Sequence, residues 1–215
     1  DPYLEDPATL WLLHWHLATS TRRATTWSWV FSHVPAPEFT KADLLRWLTS
    51  LVRGQSTRAS ESSLRRDIDC FVRTYVATRP TRGVSIEETL ECPLVELGLI
   101  REVGKGSYML NRSEHPSLPD EVFAFALVSF LQGLASLNAA TLTLERIALA
   151  PGSPARVFCL DEEALLRRLE RLQKVTAGAV VFDETAGLRQ LLLHRNLPEP
   201  MVLARRHYQG AGGAL

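Results

Sequence analysis

"SESSLRRDIDCFVRTY", residues 60–75, decides how the chain is read. On a wheel of 3.6 residues per turn, Leu64, Ile68, Phe71, Val72 and Tyr75 fall on one stripe. Ser62, Arg66, Asp69 and Arg73 fall opposite it. The spacing predicts a helix with one face for a core and one free to touch a partner. Ser60, Ser62 and Ser63 stand at its start, where hydroxyls cap a helix and reach phosphate.

The flanking stretches give this helix a context. Upstream, Thr40 is placed as an N-cap with Asp43 three residues on, ahead of "ADLLRWLTSLVRG", in which Leu44, Leu45, Leu48, Leu51 and Val52 keep helical spacing and Gly54 supplies a stop. A polar linker, "QSTRAS", joins the two helices. Downstream, "TLECPLVELGLIREVGKGSYMLN" predicts a short helix over Pro93 to Leu97, then two short runs joined by Gly-Lys-Gly, a hairpin signal. Helix, helix, short helix and hairpin predict a winged helix-turn-helix over residues 40–115, with Leu64 to Tyr75 as recognition helix and Lys105 on the wing tip.

The same grammar returns later. "LTLERIALA" predicts a helix and "PGSPARVFCLDEEALLRRLERLQKV" a loop and a helix with Leu165, Leu166, Leu169 and Leu172 on its buried side. "GAVVFDETAGLRQLLLH" predicts a hairpin, so residues 139–197 form a second winged-helix-like unit. Residues 116–138 form a buried connecting helix between the two, and its apolar run from Val122 to Leu137 serves as core or as a dimer seam. Residues 1–39 form an N-terminal helical segment whose tryptophans at 11, 15, 27 and 29 pack a core. The tail, 198–215, ends in "QGAGGAL" and is expected to be disordered. The expected fold class is mainly α with small β-hairpins (α+β), winged helix-turn-helix units joined by a buried helix.

Composition bounds the function. A chain of 215 residues that is 46% hydrophobic can bury a real core. Its longest apolar run is too short to span a bilayer and holds Ser129, Gln132 and Ser136, so no membrane association is expected and the cytoplasm is the expected compartment. Cys70, Cys92 and Cys159 stand far apart with no CxxC pair, against a structural zinc site or a disulfide framework. The opening "DPYLEDP" lacks a methionine, as expected of a fragment or processed product. Net charge is zero, yet residues 40–82 carry nine Lys/Arg against four acids and residues 83–145 three against nine.

The basic block contains the opening helix. Arg65, Arg66 and Arg73 suit phosphates or guanine edges of double-stranded DNA, with Ser62 and Ser63 assisting at the helix end and Lys105 reaching a flanking phosphate. The competing reading is a solvated face held by local ion pairs, such as Asp69 with Arg65 or Arg73. Asp67 and Asp69 invite a metal-nuclease reading, but two positions apart on a helix they diverge by about 200°. His14 and His16 diverge likewise and are assigned to packing or capping. Asp1, Glu5 and Asp6 with Pro2 and Pro7 read as cap chemistry, Asp183 and Glu184 as a solvated turn. Arg167, Arg168 and Arg171 make a second basic face, explained as well by a solvated surface with Glu163 and Glu170 as by DNA. No nucleophile elbow, phosphate-binding glycine loop or dinucleotide fingerprint occurs, and the catalytic residues stay unassigned.

Six blocks in fixed order, "DPYLEDPATLWLLHW", "ATTW", "LRRDIDCFVRTY", "CPLVELGLI", "PGSPARVFCLDE" and "DETAGLRQ", resemble the carboxy-terminal part of the SspB-type family. This family, once labelled a domain of unknown function, belongs to the bacterial single-strand DNA phosphorothioation system, an antiphage modification machinery. The resemblance runs from Asp1 to about Gln190. It implies a DNA nickase, a hydrolase of phosphodiester bonds, working with a cysteine desulfurase, an ATPase and an ATP-pyrophosphatase-like protein. Opening one strand would give sulfur-inserting partners access to a backbone phosphate. If nicking resides in these residues, Mg2+ or Mn2+ is the expected cofactor; if it needs an amino-terminal domain, this part binds and positions DNA. A non-catalytic alternative keeps the same complex: the units dock its other proteins or a second copy of the chain.

Overall fold

In the computed structural model, residues 6–54, 59–77, 91–134, 140–185, 187–194 and 196–211 are described. Helix α1 (Pro7–Thr19) begins where Asp6 accepts a hydrogen bond from the Ala8 amide at 2.8 Å, with Pro7 needing no partner in the first turn. Helix α2 (Thr25–His33) leads through a short loop to strand β1 (Glu38–Thr40) and helix α3 (Lys41–Gly54). Thr40 and Asp43 close a reciprocal cap: the Asp43 amide donates to Thr40 Oγ1 at 3.2 Å and the Thr40 amide to Asp43 Oδ2 at 3.0 Å. These bonds hold the Asp43 carboxyl below its ordinary range.

Helix α4 (Glu61–Tyr75), a 3-10 helix (Pro93–Leu97) and strands β2 (Ile100–Gly104) and β3 (Ser107–Leu110) follow. The 3-10 helix ends at Gly98, whose φ of 60° suits glycine. Strand β3 is central to an antiparallel sheet of order β1-β3-β2, pairing Phe39 with Tyr108 and Ile100 with Leu110. The expected hairpin is present and gains β1 as a third strand.

After helix α5 (Asp120–Gly133) come strand β4 (Thr141–Thr143), helix α6 (Leu144–Leu149), the single turn α7 (Pro154–Val157), helix α8 (Glu162–Val175), strands β5 (Val180–Thr185) and β6 (Leu188–Leu193), and helix α9 (Pro200–Ala211). The second sheet has the order β4-β6-β5, with Phe182 opposite Leu191. Each half thus runs helix, short strand, helices, hairpin, and in each the first strand pairs with the last. The architecture is mixed α+β, with two small antiparallel sheets among the described residues.

Several expectations are corrected. "LTLERIALA" opens as strand, because Leu142 pairs with Leu191 and is buried, before Thr143 caps α6. Trp27 and Phe31 of α2 pack edge-on against Phe71 of α4. The tail beyond Pro198 is not disordered over its first part. Helix α9 buries Leu203 and Ala204 and packs on α5, Tyr208 meets Thr9 hydroxyl to hydroxyl at 2.8 Å, and His207 approaches Asp6 at 3.2 Å. Residues 212–215 lie outside the described residues, as do 135–139 at the expected end of the connecting helix. With α1, α8 and α9 against it, α5 is core rather than a free seam.

One buried bond set joins the halves. His14 Nε2 lies 2.8 Å from the Val157 carbonyl, and Nδ1 lies 2.8 Å from the Tyr75 hydroxyl. A carbonyl only accepts, so Nε2 carries the proton and Tyr75 donates to Nδ1. The neutral ring ties α1, α4 and α7 together. Burial lowers the His14 pKa to about 4 and pushes Tyr75 well above its ordinary value. Packing and hydrogen bonding are therefore the roles the structure gives His14, while exposed His16 lies edge-on to Phe125.

Candidate nucleic-acid interface

Helix α4 turns its two faces as its spacing predicts. Leu64, Ile68, Phe71, Val72 and Tyr75 are buried, and the opposite side, including Ser62, Ser63, Arg65, Arg66, Asp69 and Arg73, is exposed. A buried stripe of five side chains against α2 and α3 fixes the helix axis, and the exposed residues inherit that rigidity.

The exposed face sorts by partner. Glu61 is bound by Arg65 at 2.7 Å, one turn apart on the same helix. Asp69 is bound across helices by Lys41 at 2.6 Å. The anticipated four-residue pair of Asp69 with Arg65 does not form; Arg73 Nε reaches only the Asp69 carbonyl, at 3.4 Å. Asp67 borders the groove between α2 and α4 with Arg22, Trp29 and His33. Two of the acids are thereby neutralised. Among the described residues, Arg66 and Arg73 keep guanidiniums without a carboxylate partner.

The serines are engaged with one another. Ser60 is the cap, accepting from the Ser63 amide at 3.2 Å, and its hydroxyl lies 2.9 Å from that of Ser62 and 3.0 Å from that of Ser63. The three hydroxyls carry three protons and the two bonds among them use two, so one remains to donate to an incoming oxyanion. Lys105 occupies the tip of the β2–β3 turn, where Gly106 takes a φ of 74° and its amide donates to Glu102 at 3.1 Å. That bond shapes the tip and leaves the exposed Lys105 pointing away from the core.

The second basic helix behaves differently. Arg168 is only 5% exposed and donates to the carbonyls of Leu118, Glu114 and His115 and to Asp120. It sits one turn from Ala164 and Leu172, on the buried stripe itself, and lashes α8 to the segment before α5. Arg167 pairs with Glu163 and with Glu114, and Arg171 with Asp120. The expected basic face is thus a set of ion pairs around a buried arginine. The sequence signal was present: Arg168 interrupts an apolar stripe where a leucine was due.

Asp67 and Asp69 have separate surroundings, and among the described residues no three His, Cys, Asp or Glu side chains converge as an ion-holding set. Magnesium is commonly held by one or two carboxylates and retained water. Among the described residues, no helix is long and apolar enough to cross a membrane.

The family described as "Protein of unknown function (DUF4007)" matches residues 1–208, and the chain belongs to it. Two solved structures are similar to it over nearly its whole length. "Magnesium ion-bound SspB crystal structure" has a TM-score of 0.76 and 28% identity, and "SspB crystal structure" has 0.74 and 28%. Each alignment covers 99% of this chain and 69% of the other. The SspB-type resemblance read from the six blocks therefore stands. No curated protein matches the chain.

Proposed function

We propose that this chain is built of two winged-helix units, binds double-stranded DNA through helix α4 of the first, and serves an SspB-type phosphorothioation system in antiphage defence. The observation that carries the reading is the exposed face of α4, where Arg66 and Arg73 stand without carboxylate partners on a helix fixed by its buried stripe. Guanidiniums in that position match phosphate oxygens and guanine edges. The order helix, strand, helix, helix, hairpin, with the first strand beside the last, supports the winged-helix assignment for both halves. On that pattern the first unit starts at α2 rather than at residue 40, and α5 is the first helix of the second unit rather than a connector. Ser62, Ser63 and Arg65 flank the contact at the helix start, and Lys105 adds a phosphate contact from the wing.

The likeness to SspB supports a cytoplasmic place beside a cysteine desulfurase, an ATPase and an ATP-pyrophosphatase-like protein. The test is incubation with supercoiled plasmid, with and without Mg2+ or Mn2+, read on a gel. Retarded plasmid is the expected result, and open-circle product lost on chelation would add the nicking reaction itself. Neither retardation nor nicking would overturn the reading in favour of protein docking.

A further inference from the structure

Arg101 on β2, Arg112 just beyond β3 and Arg156 on α7 border one cavity of about 500 Å3, whose wall also includes Pro35, Met109 and Leu110. Both halves of the molecule contribute: the first sheet brings Arg101 and the second half brings Arg156. Sequence separation hid this grouping.

Among the described residues lining this cavity no carboxylate stands with the three guanidiniums, although Arg112 also borders a second cavity with Glu145, Asp161 and Glu162. Among the described residues, none of the three arginines forms an ion pair. Every other arginine drawn into the interior is anchored: Arg168 has Asp120 and three carbonyls. Arg156, by contrast, has one long bond to the Leu149 carbonyl at 3.5 Å; among the described residues its Nε is buried without a partner, as are those of Arg167 and Arg168, whose terminal nitrogens are bound. Burial and the neighbouring Arg112 both lower the Arg156 pKa, so the two cations repel across the cavity. The adjacent Cys159 supplies no anion, because burial pushes its thiol up to about 12. Arg156 is half-buried while Arg101 and Arg112 are exposed at the rim, so the three line an open, cation-rich cavity that an anion from outside can reach.

We propose that Arg101, Arg112 and Arg156 bind a phosphate group in this cavity. Planar guanidiniums donate in parallel pairs to tetrahedral oxyanions, and three of them distribute the charge of a phosphate ester over one site. The site is independent of the α4 face, which contributes no residue to it. A backbone phosphate of a nucleic-acid strand and a free phosphate or mononucleotide share this chemistry.

The experiment is thermal unfolding and calorimetric titration of the full chain with inorganic phosphate, against chloride at equal ionic strength. Phosphate raises the melting temperature beyond chloride, and Arg112→Gln and Arg156→Gln each weaken phosphate binding about tenfold. Arg112→Gln without phosphate melts within about 2 °C of the wild type, because its side chain is exposed and, among the described residues, forms no ion pair. If Arg156→Gln folds poorly, Arg101→Gln and Arg112→Gln carry the test. Arg66→Ala with Arg73→Ala leaves phosphate binding intact, which separates this site from the α4 reading. Displacement of phosphate by a short oligonucleotide assigns the site to a strand; displacement by a mononucleotide alone assigns it to a free phosphate compound. A phosphate effect no larger than chloride, or one undiminished in the Arg112→Gln, Arg156→Gln double variant, would overturn the proposal.

Discussion

Two helices of this protein carry the same triplet, Leu-Arg-Arg, at 64–66 on α4 and at 166–168 on α8, and the fold uses them in opposite ways. On α4 the buried stripe runs through Leu64 and Ile68, so both arginines fall outside it. On α8 the stripe runs through Ala164, Leu165, Leu169 and Leu172, so Arg168 lies inside it. A single-residue phase difference thus separates a contact surface from an internal tie. Local charge says little about binding until the phase of the apolar stripe beside it is known.

Arg168→Ala is the substitution that would hurt most. It strips Asp120 and the carbonyls of Glu114, His115 and Leu118 of their donor, and about 3–5 kcal/mol of stability should be lost in urea unfolding. A loss below about 1 kcal/mol would erase the distinction between the two helices.

Acid should act next, through His14. Its folded pKa of about 4 lies below the unfolded value of 6.5, so the unfolded chain binds the extra proton between those limits. Stability is then full above pH ~6.5, falls by up to about 3 kcal/mol as pH drops toward 4, and is not reduced further by this group. His115, lowered by burial, acts in the same direction. Urea midpoints from pH 7 to 4 that stay level would contradict the neutral bond set with Tyr75 and Val157.

Binding variants come below these. Arg66→Ala with Arg73→Ala should weaken duplex DNA binding by roughly 1–3 kcal/mol while moving stability by no more than about 0.5 kcal/mol, since both side chains are exposed. Lys105→Ala, one point charge at a turn tip, should cost only about threefold and reduce the salt slope by about one. An Arg66 and Arg73 variant that unfolds, or a Lys105 variant that costs as much as both arginines, would redraw the surface.

Much of this was legible in residues 60–75 and in the turn at 104–106. The five-member stripe, the Ser60 cap and the Gly-Lys-Gly turn are local signals, and each specified its element. What stayed hidden depends on distant partners. Thr141 to Thr143 is strand because β6 lies beside it, a pairing some 50 residues away that helical propensity cannot register. Residues beyond Pro198 fold because α5 offers an apolar surface. The Lys41 bond to Asp69 and the grouping of Arg101, Arg112 and Arg156 likewise follow from tertiary packing. Arg168 was within reach, because its place on the leucine stripe could be counted.

The most direct test of the central claim is duplex affinity against salt for two matched double variants, Arg66→Ala with Arg73→Ala on α4 and Arg167→Ala with Arg171→Ala on α8. Each removes two formal charges, so net charge is controlled. The α4 pair should bind more weakly with a salt slope reduced by about two, and the α8 pair should change little, since its arginines are already bound to Glu114, Glu163 and Asp120. Equal losses would reduce α4 to bulk charge, and no loss from the α4 pair would contradict its assignment as the DNA-contacting helix.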